Sequence, residues 1–145
     1  MTAIRLIYAS DAADGLRYSD FMTLLTRAAE KNREYGITGM LCYGSGQFLQ
    51  ALEGQRYAVN ALYHHIARDP RHVNCQLLSV EEIATRDFGE WLMKIVDWTD
   101  GISAAQRATL LDHAQTATFD PRSMHARQAV EFLQELAEME RMLLE

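Results

Sequence analysis

Residues 37–54, ITGMLCYGSGQFLQALEG, leave this chain little choice of fold. An apolar run to Tyr43, then Gly44-Ser45-Gly46, then a second run from Gln47 describe two antiparallel strands joined by a tight turn. Alternate residues of a strand share a face. Phe48, Gln50 and Leu52 therefore point one way, and Leu49, Ala51 and Glu53 the other. Gln50 falls between two large apolar neighbours on a face that reads as buried. A buried primary amide brings donors and an acceptor that need partners, and one left unpaired costs about 1–3 kcal/mol. Either this amide is tied to nearby backbone, as core amides ordinarily are, or another polar group meets it.

The flanking segments build a layered domain around that hairpin. Residues 3–9 form a strand with Ile4, Leu6 and Tyr8 on one face, and residues 11–18 a loop containing Gly15. A helix follows, with Ser19 as N-cap, Asp20 in its first turn and Gly36 as its stop. Phe21, Leu24, Ala28 and Asn32 stack along it, so Asn32 either caps the last turn or aims a polar group inward. Residues 55–68 form a second helix with Val59, Leu62 and Ile66 inside, ended by Pro70. His64 and His65 on it read as surface or packing residues. A strand at 74–80 leads into a polar connection in which Glu81 and Glu82 form a solvated pair. The last strand, 91–98, carries Trp91, Met93 and Ile95 on one face. The order β-α-β-β-α-β-β predicts an α+β, ferredoxin-like sandwich with both helices on one face of an antiparallel or mixed sheet.

The second face of that sheet needs a cover, and the tail offers two additional helices. Residues 99–101 read as a hinge, and Ser103 with Gln106 as a capping box opening a helix to about residue 116. Asp120-Pro121 has the N-cap and first-turn signature of the last helix. Ala129, Phe132, Leu136, Met139 and Leu143 line one side of it, with Val130, Leu133 and Ala137 beside them. That stripe is too wide and short for a long coiled coil and predicts docking on the sheet or on a partner. The division is residues 1–98 as a domain and 99–145 as a helical extension for partner or oligomer contact.

A net charge of −6, with no block of Lys and Arg against it, argues against nucleic-acid binding. No leader and no apolar run long enough for a membrane is evident. The two cysteines, Cys42 and Cys75, lack metal-ligand spacing and read as buried thiols of a reducing cytoplasm. No P-loop, GxGxxG, nucleophile elbow or HExxH occurs. What remains is a polar set on apolar faces: Tyr8, Asn32 and Gln50, with Trp91 and Met93 near the end. Such a set can converge on a flat heteroaromatic ligand between the two helices, without saying which.

Taken together, IRLIYAS, the Asn-bearing helix end, GITGMLCYGSGQFLQALEG, DPRH at 69–72 and FGEWLMKIVDW resemble the BLUF family of flavin-based blue-light sensors over roughly residues 2–98. The resemblance implies that Tyr8 lies beside the flavin ring, Gln50 bridges Tyr8 and the ring, and Asn32 fixes the ring edge. It implies Trp91 and Met93 as switch residues, Leu24 and Ile66 as walls, and Asp69 and Arg71 near the ribityl rim. Lys31 stands where many relatives have asparagine, and His65 where a basic residue is common; the resemblance counts both positions as cofactor contacts. The implied cofactor is FAD, with FMN or riboflavin as the other forms. The implied function is a photoreceptor rather than an enzyme, a homo-oligomer acting on a separate effector protein. Two other readings stay open: a ferredoxin-like regulatory or dimerisation domain without flavin, and a small flavin enzyme.

Overall fold

The computed structural model describes residues 2–97, 104–113 and 119–143. Five strands form one sheet: β1 (Ala3–Ala12), β2 (Thr38–Gly44), β3 (Gln47–Gln55), β4 (His72–Ile83) and β5 (Lys94–Asp97), in the order β4-β1-β3-β2-β5. All neighbours are antiparallel except β2 and β5. Helix α1 (Tyr18–Tyr35) and helix α2 (Arg56–Arg68) share one face; α3 (Ala104–His113) and α4 (Ala126–Leu143) follow. This is the ferredoxin-like α+β order the sequence predicts, with a mixed sheet.

The hairpin is fixed by its two-residue turn. Ser45 and Gly46 both have positive φ, 52° and 72°, the backbone whose twist matches the flanking strands. At the other end Gly39 lets β2 and β3 close, since a Cβ there would lie 2.2 Å from the Ala51 carbonyl oxygen. Strand alternation then divides the side chains into two sets. Ile4, Leu6, Tyr8 and Leu52 pack with Ala58, Val59 and Leu62 of α2. Ile7, Met40, Cys42, Leu49, Ala51 and Val96 pack with Phe132, Leu133 and Leu136 of α4. The tail stripe thus docks on the sheet, and α3 lies against α4 through Thr109 and Met139.

That second face also buries charge. Arg5 Nε meets Glu53 Oε2 at 3.0 Å, and the same guanidinium reaches Glu81 and Asp87. Glu53 further accepts the backbone N–H groups of Asp87 and Phe88. Gln134 of α4 donates to Asp87 at 2.8 Å, and Arg141 bonds to Glu90 and to the Asp87 carbonyl oxygen. The connection between β4 and β5 is therefore roped to α4.

Several boundaries differ from the sequence reading. Arg17, not Ser19, caps α1, and its N–H is accepted by Asp20; Gly36 ends the helix in the left-handed conformation. Glu81 and Glu82 belong to β4 and not to a connection; Glu82 stays largely solvated beside an exposed Arg56, and Glu81, 39% exposed, faces Arg5. Asp120-Pro121 opens a single 3-10 turn, Pro121–Ser123. Met124 then turns extended, so α4 restarts at Ala126. Cys42 is buried but Cys75 only half-buried, and neither is in a disulfide. The 99–101 hinge, Ser103, the end of its helix near 116 and Trp98 lie outside the described residues, as do the side chains of Phe21, Ile95 and Leu143.

Candidate functional site

A cleft of roughly 720 Å3, open solvent included, separates α1 from α2 above β3. Each helix contributes one stripe to it. Leu24, Arg27, Ala28, Lys31 and Asn32 follow the i, i+3, i+4, i+7, i+8 spacing of a single helix face. Leu62, His65 and Ile66 continue into Asp69 beyond the end of α2. Gln50 and Leu41 form the floor, and Arg71 and His72 one end. All eight residues the sequence assigned to the helices and to the 69–71 rim or floor are here: Leu24, Lys31, Asn32, Gln50, His65, Ile66, Asp69 and Arg71.

Tyr8 lies behind the floor, fully buried, opposite Gln50 in the β1–β3 register. Its hydroxyl donates to Gln50 Oε1, and the other end of that amide, Nε2, donates to the Met93 sulfur at 3.4 Å. Burial, with smaller repulsion from the Cys75 thiol, Tyr63 and Asp69, pushes the Tyr8 hydroxyl well above its ordinary pKa. It stays protonated, and the direction of the Tyr8–Gln50 bond is fixed. The two-sided amide inferred for Gln50 is met by side chains and not by backbone.

Asn32 is buried at the far wall. Its amide nitrogen donates to the Leu92 carbonyl oxygen, while its Oδ1 has no partner among the described residues. It lines the cleft, so a donor on a bound molecule would complete it. Two other unmet buried atoms, on Gln47 and Arg122, belong to residues that do not line the cleft and are engaged with Asp120 and with Asp11 and Asn74. At the rim, Arg71 Nε clasps Asp69 at 3.0 Å, which holds the Asp69 carboxyl below its usual pKa.

Trp91 and Met93 do not share a face. Residues 91–93 precede β5 and lie outside its ladder, so strand alternation does not govern them. Met93 packs towards Tyr8 and Phe48. Trp91 packs into the cluster under α4, where the Arg141 guanidinium lies 5.5 Å from its ring centre. Its carbonyl oxygen accepts the Gly39 N–H at 3.1 Å.

The sequence reading missed Arg27, Ala28, Leu41, Leu62 and His72 as cleft residues. Arg27 and Ala28 were readable from the stripe through Leu24 and Lys31. His72 was not, because its role depends on Ser10: the Ser10 hydroxyl and His72 Nδ1 lie 2.9 Å apart, both residues buried. Burial and Arg71 lower the His72 pKa to about 4 against the opposing pull of Asp69.

The residues fit a flavin. Apolar side chains from both helices wall a slot, an orphaned amide oxygen waits in its wall, and a two-ended amide sits on its floor. Among the described residues no group of His, Cys, Asp or Glu could hold a metal, and no helix is long and apolar enough to cross a membrane.

Residues 3–94 match the family model described as BLUF, sensors of blue-light using FAD. Curated relatives include the photoactivated adenylate cyclase subunit alpha-like protein FB of Euglena gracilis, 33% identical over 92 residues, 62% of this chain and 9% of that protein. The blue light- and temperature-regulated antirepressor BluF of Escherichia coli is 32% identical over 63% of this chain and 23% of its own length. The chain spans about a tenth of the cyclase subunits it matches. Among solved structures, BlsA in its photo-activated state superposes with a TM-score of 0.83 at 31% identity, covering 93% of this chain and 94% of that one. BlrB in its dark state gives 0.76 at 27% identity, covering 95% and 97%.

Proposed function

The chain belongs to the BLUF family of blue-light sensors, and on that premise we propose that Tyr8, Gln50 and Met93 form its switch over a flavin held between α1 and α2. The Tyr8–Gln50–Met93 hydrogen-bond line beneath the cleft is the observation that carries this reading. Leu24 and Ile66 clasp the ring, Asn32 Oδ1 takes a donor from its edge, and Lys31, His65, Asp69 and Arg71 meet the polar side. The flavin is FAD. Excited by blue light, a bound flavin supplies a strong oxidant.

Tyr8 can release an electron and pass its hydroxyl proton along the bond to Gln50, and both return when the site relaxes. Gln50 responds because its amide ends are opposite in kind. With Oε1 on Tyr8 and Nε2 on Met93, both neighbours are satisfied. Rotation or tautomerisation of the amide changes what each receives. A rotated amide turns a carbonyl towards the Met93 sulfur, which has no hydrogen to give, so the Gln50–Met93 contact is lost. Residues 91–93 are then free to shift, and Trp91 transmits that to α4. Output thus leaves through a tail beginning near residue 99, as a changed surface for a separate effector protein. We place the protein in the cytoplasm, in keeping with two cysteines that form no disulfide, and as a homo-oligomer.

The test is an absorption spectrum before and after blue light. A reversible red shift of the flavin band is expected in the native protein and not in Gln50→Leu, which keeps the side-chain volume and the bound flavin. A normal shift in that variant would overturn the switch. A colourless protein that gains no flavin on incubation would favour the regulatory-domain reading.

A further inference from the structure

The segment carrying Trp91 and Met93 is bracketed by opposite charges, Glu90 before it and Lys94, the first residue of β5, after it. Two adjacent residues near the end of α4 answer them. Glu140 Oε2 lies 3.2 Å from Lys94 Nζ, and the Arg141 guanidinium bonds to both carboxylate oxygens of Glu90. Resting on the switch reading above, we propose that these two ion pairs form a clamp that sets the position of residues 90–94 beside the slot, so that Glu140 and Arg141 are positioning residues which govern how fast the lit state reverts.

Opposing restraints on one short segment are the first argument. On the slot side, Gln50 Nε2 donates to the Met93 sulfur and Asn32 to the Leu92 carbonyl oxygen. On the α4 side, Arg141 reaches Glu90 and the Asp87 carbonyl oxygen, its guanidinium lies 5.5 Å from the Trp91 ring centre, and Glu140 takes Lys94. A segment held from both sides rests where the two sets of contacts balance. Loosening either set moves it relative to the other, and coupling of that kind acts in both directions. The end of α4 thus acts back on Gln50 as well as receiving from it.

Charge order and burial are the second argument. Isolated ion pairs on the surface contribute little. Here the Lys94 and Glu140 side chains are only 33% and 13% exposed, and the Glu90–Arg141 pair is bidentate, the geometry in which arginine binds a carboxylate best. Arg141 also holds the Glu90 carboxyl below its usual pKa. A slip of α4 that exchanged partners would set Glu140 against Glu90 and Arg141 against Lys94, like charges at both ends. The two pairs therefore admit one register. They are not needed to dock the helix, because Phe132, Leu133 and Leu136 are already buried against the sheet earlier on α4.

The experiment reads dark recovery of the absorption band after blue light in full-length, flavin-loaded protein, and amide hydrogen exchange of residues 138–143 in the flavin-free protein. Lys94→Glu and Glu140→Lys should each slow recovery by about fivefold, the low end of coupling between sites, because the Met93 sulfur is then presented less often to Gln50. Each should also speed exchange at the end of α4. The exchanged pair, Lys94→Glu with Glu140→Lys, should return both readings to near native values. Glu140→Gln and Lys94→Gln remove a charge and add no repulsion, and should slow recovery by about twofold, as an ion pair of modest strength allows. Arg141→Gln should act in the same direction, and Arg141→Lys, which keeps the charge and loses the bidentate geometry, should fall between it and the native protein. Native recovery and exchange in the single variants overturn the clamp, as does a change that the exchanged pair leaves unrepaired. If the native protein shows no reversible red shift, the switch reading fails and the clamp with it. If it shows the shift while the single variants recover at the native rate, only the clamp fails.

Discussion

Beneath the sheet, Ile7, Met40, Leu49, Phe132, Leu133 and Leu136 close into a continuous apolar cluster under α4. Above it, the same strands and two helices leave a slot, and of the α1 side chains described only Asn32 is buried. Buried polar groups divide the same way. On the α4 face, both carboxylate oxygens of Glu53 are met, by Arg5 and two backbone N–H groups. On the other, Asn32 Oδ1 is unmet. The α4 face is completed by the chain apart from Gln47 Oε1, at the start of β3, and Arg122 Nε, while the other face leaves a slot with an unmet acceptor in its wall. An unsatisfied buried acceptor costs about 1–3 kcal/mol, a penalty that a ligand's donor removes.

The comparison is broken most severely by charging the sealed face. Phe132→Glu with Leu136→Glu places two carboxylates in an apolar cluster with no partner, which buried charge does not tolerate. The expected outcome is aggregation or a changed assembly by size-exclusion mass, with loss of helical signal. A variant with native mass and circular dichroism would mean α4 is a passive appendage. A gentler probe sets one face against the other. Phe132→Ala should cost about 3–5 kcal/mol by denaturant unfolding, whereas Leu24→Ala, at the open slot, should cost about 1 kcal/mol or less in flavin-free protein. Equal costs would mean the slot is packed when empty.

Acid should loosen the open face first. His72 titrates near 4 when folded and near 6.5 when unfolded, so below pH 6.5 the unfolded state binds the extra proton and stability falls. Asp69 opposes that shift, Arg71 reinforces it, and Ser10 holds Nδ1. The loss should be complete near pH 4 and reach roughly 3 kcal/mol. His72→Gln should flatten that part of the curve between pH 6.5 and 4. A variant with native acid sensitivity would place the titration elsewhere.

How much of this was readable depended on range. The hairpin, the alternation of Phe48, Gln50 and Leu52, and the Gly36 stop are local, and the structure keeps each. The partners of Gln50 and Asn32 come from segments over 40 residues away, so composition named the amides but only family resemblance named what they meet. Glu81 looked solvated because its partner, Arg5, is 76 positions distant. Trp91 and Met93 looked like strand neighbours because a period of two was extended three residues beyond the ladder. Arg17 won the cap of α1 from Ser19 because Asp20 could reach back to its N–H.

A substitution with little expected effect on stability bears most directly on how the two faces communicate. Residues 91–93 cross the sheet edge, with Met93 above beside Gln50 and Trp91 below beside Arg141. Met93→Leu keeps volume, should cost under about 1.5 kcal/mol, and removes the sulfur that accepts from Gln50 Nε2. In flavin-loaded protein it should shift the dark absorption band and change the rate of dark recovery, because one of two restraints on the amide is gone. Trp91→Phe loses part of the stack with Arg141 instead, so its main effect should be faster limited proteolysis of the tail, with a smaller spectral change than Met93→Leu. The two signatures separate because each side chain touches a different face. Should Trp91→Phe move the dark spectrum more than Met93→Leu does, the indole must reach the slot, and the sheet does not insulate the flavin from α4.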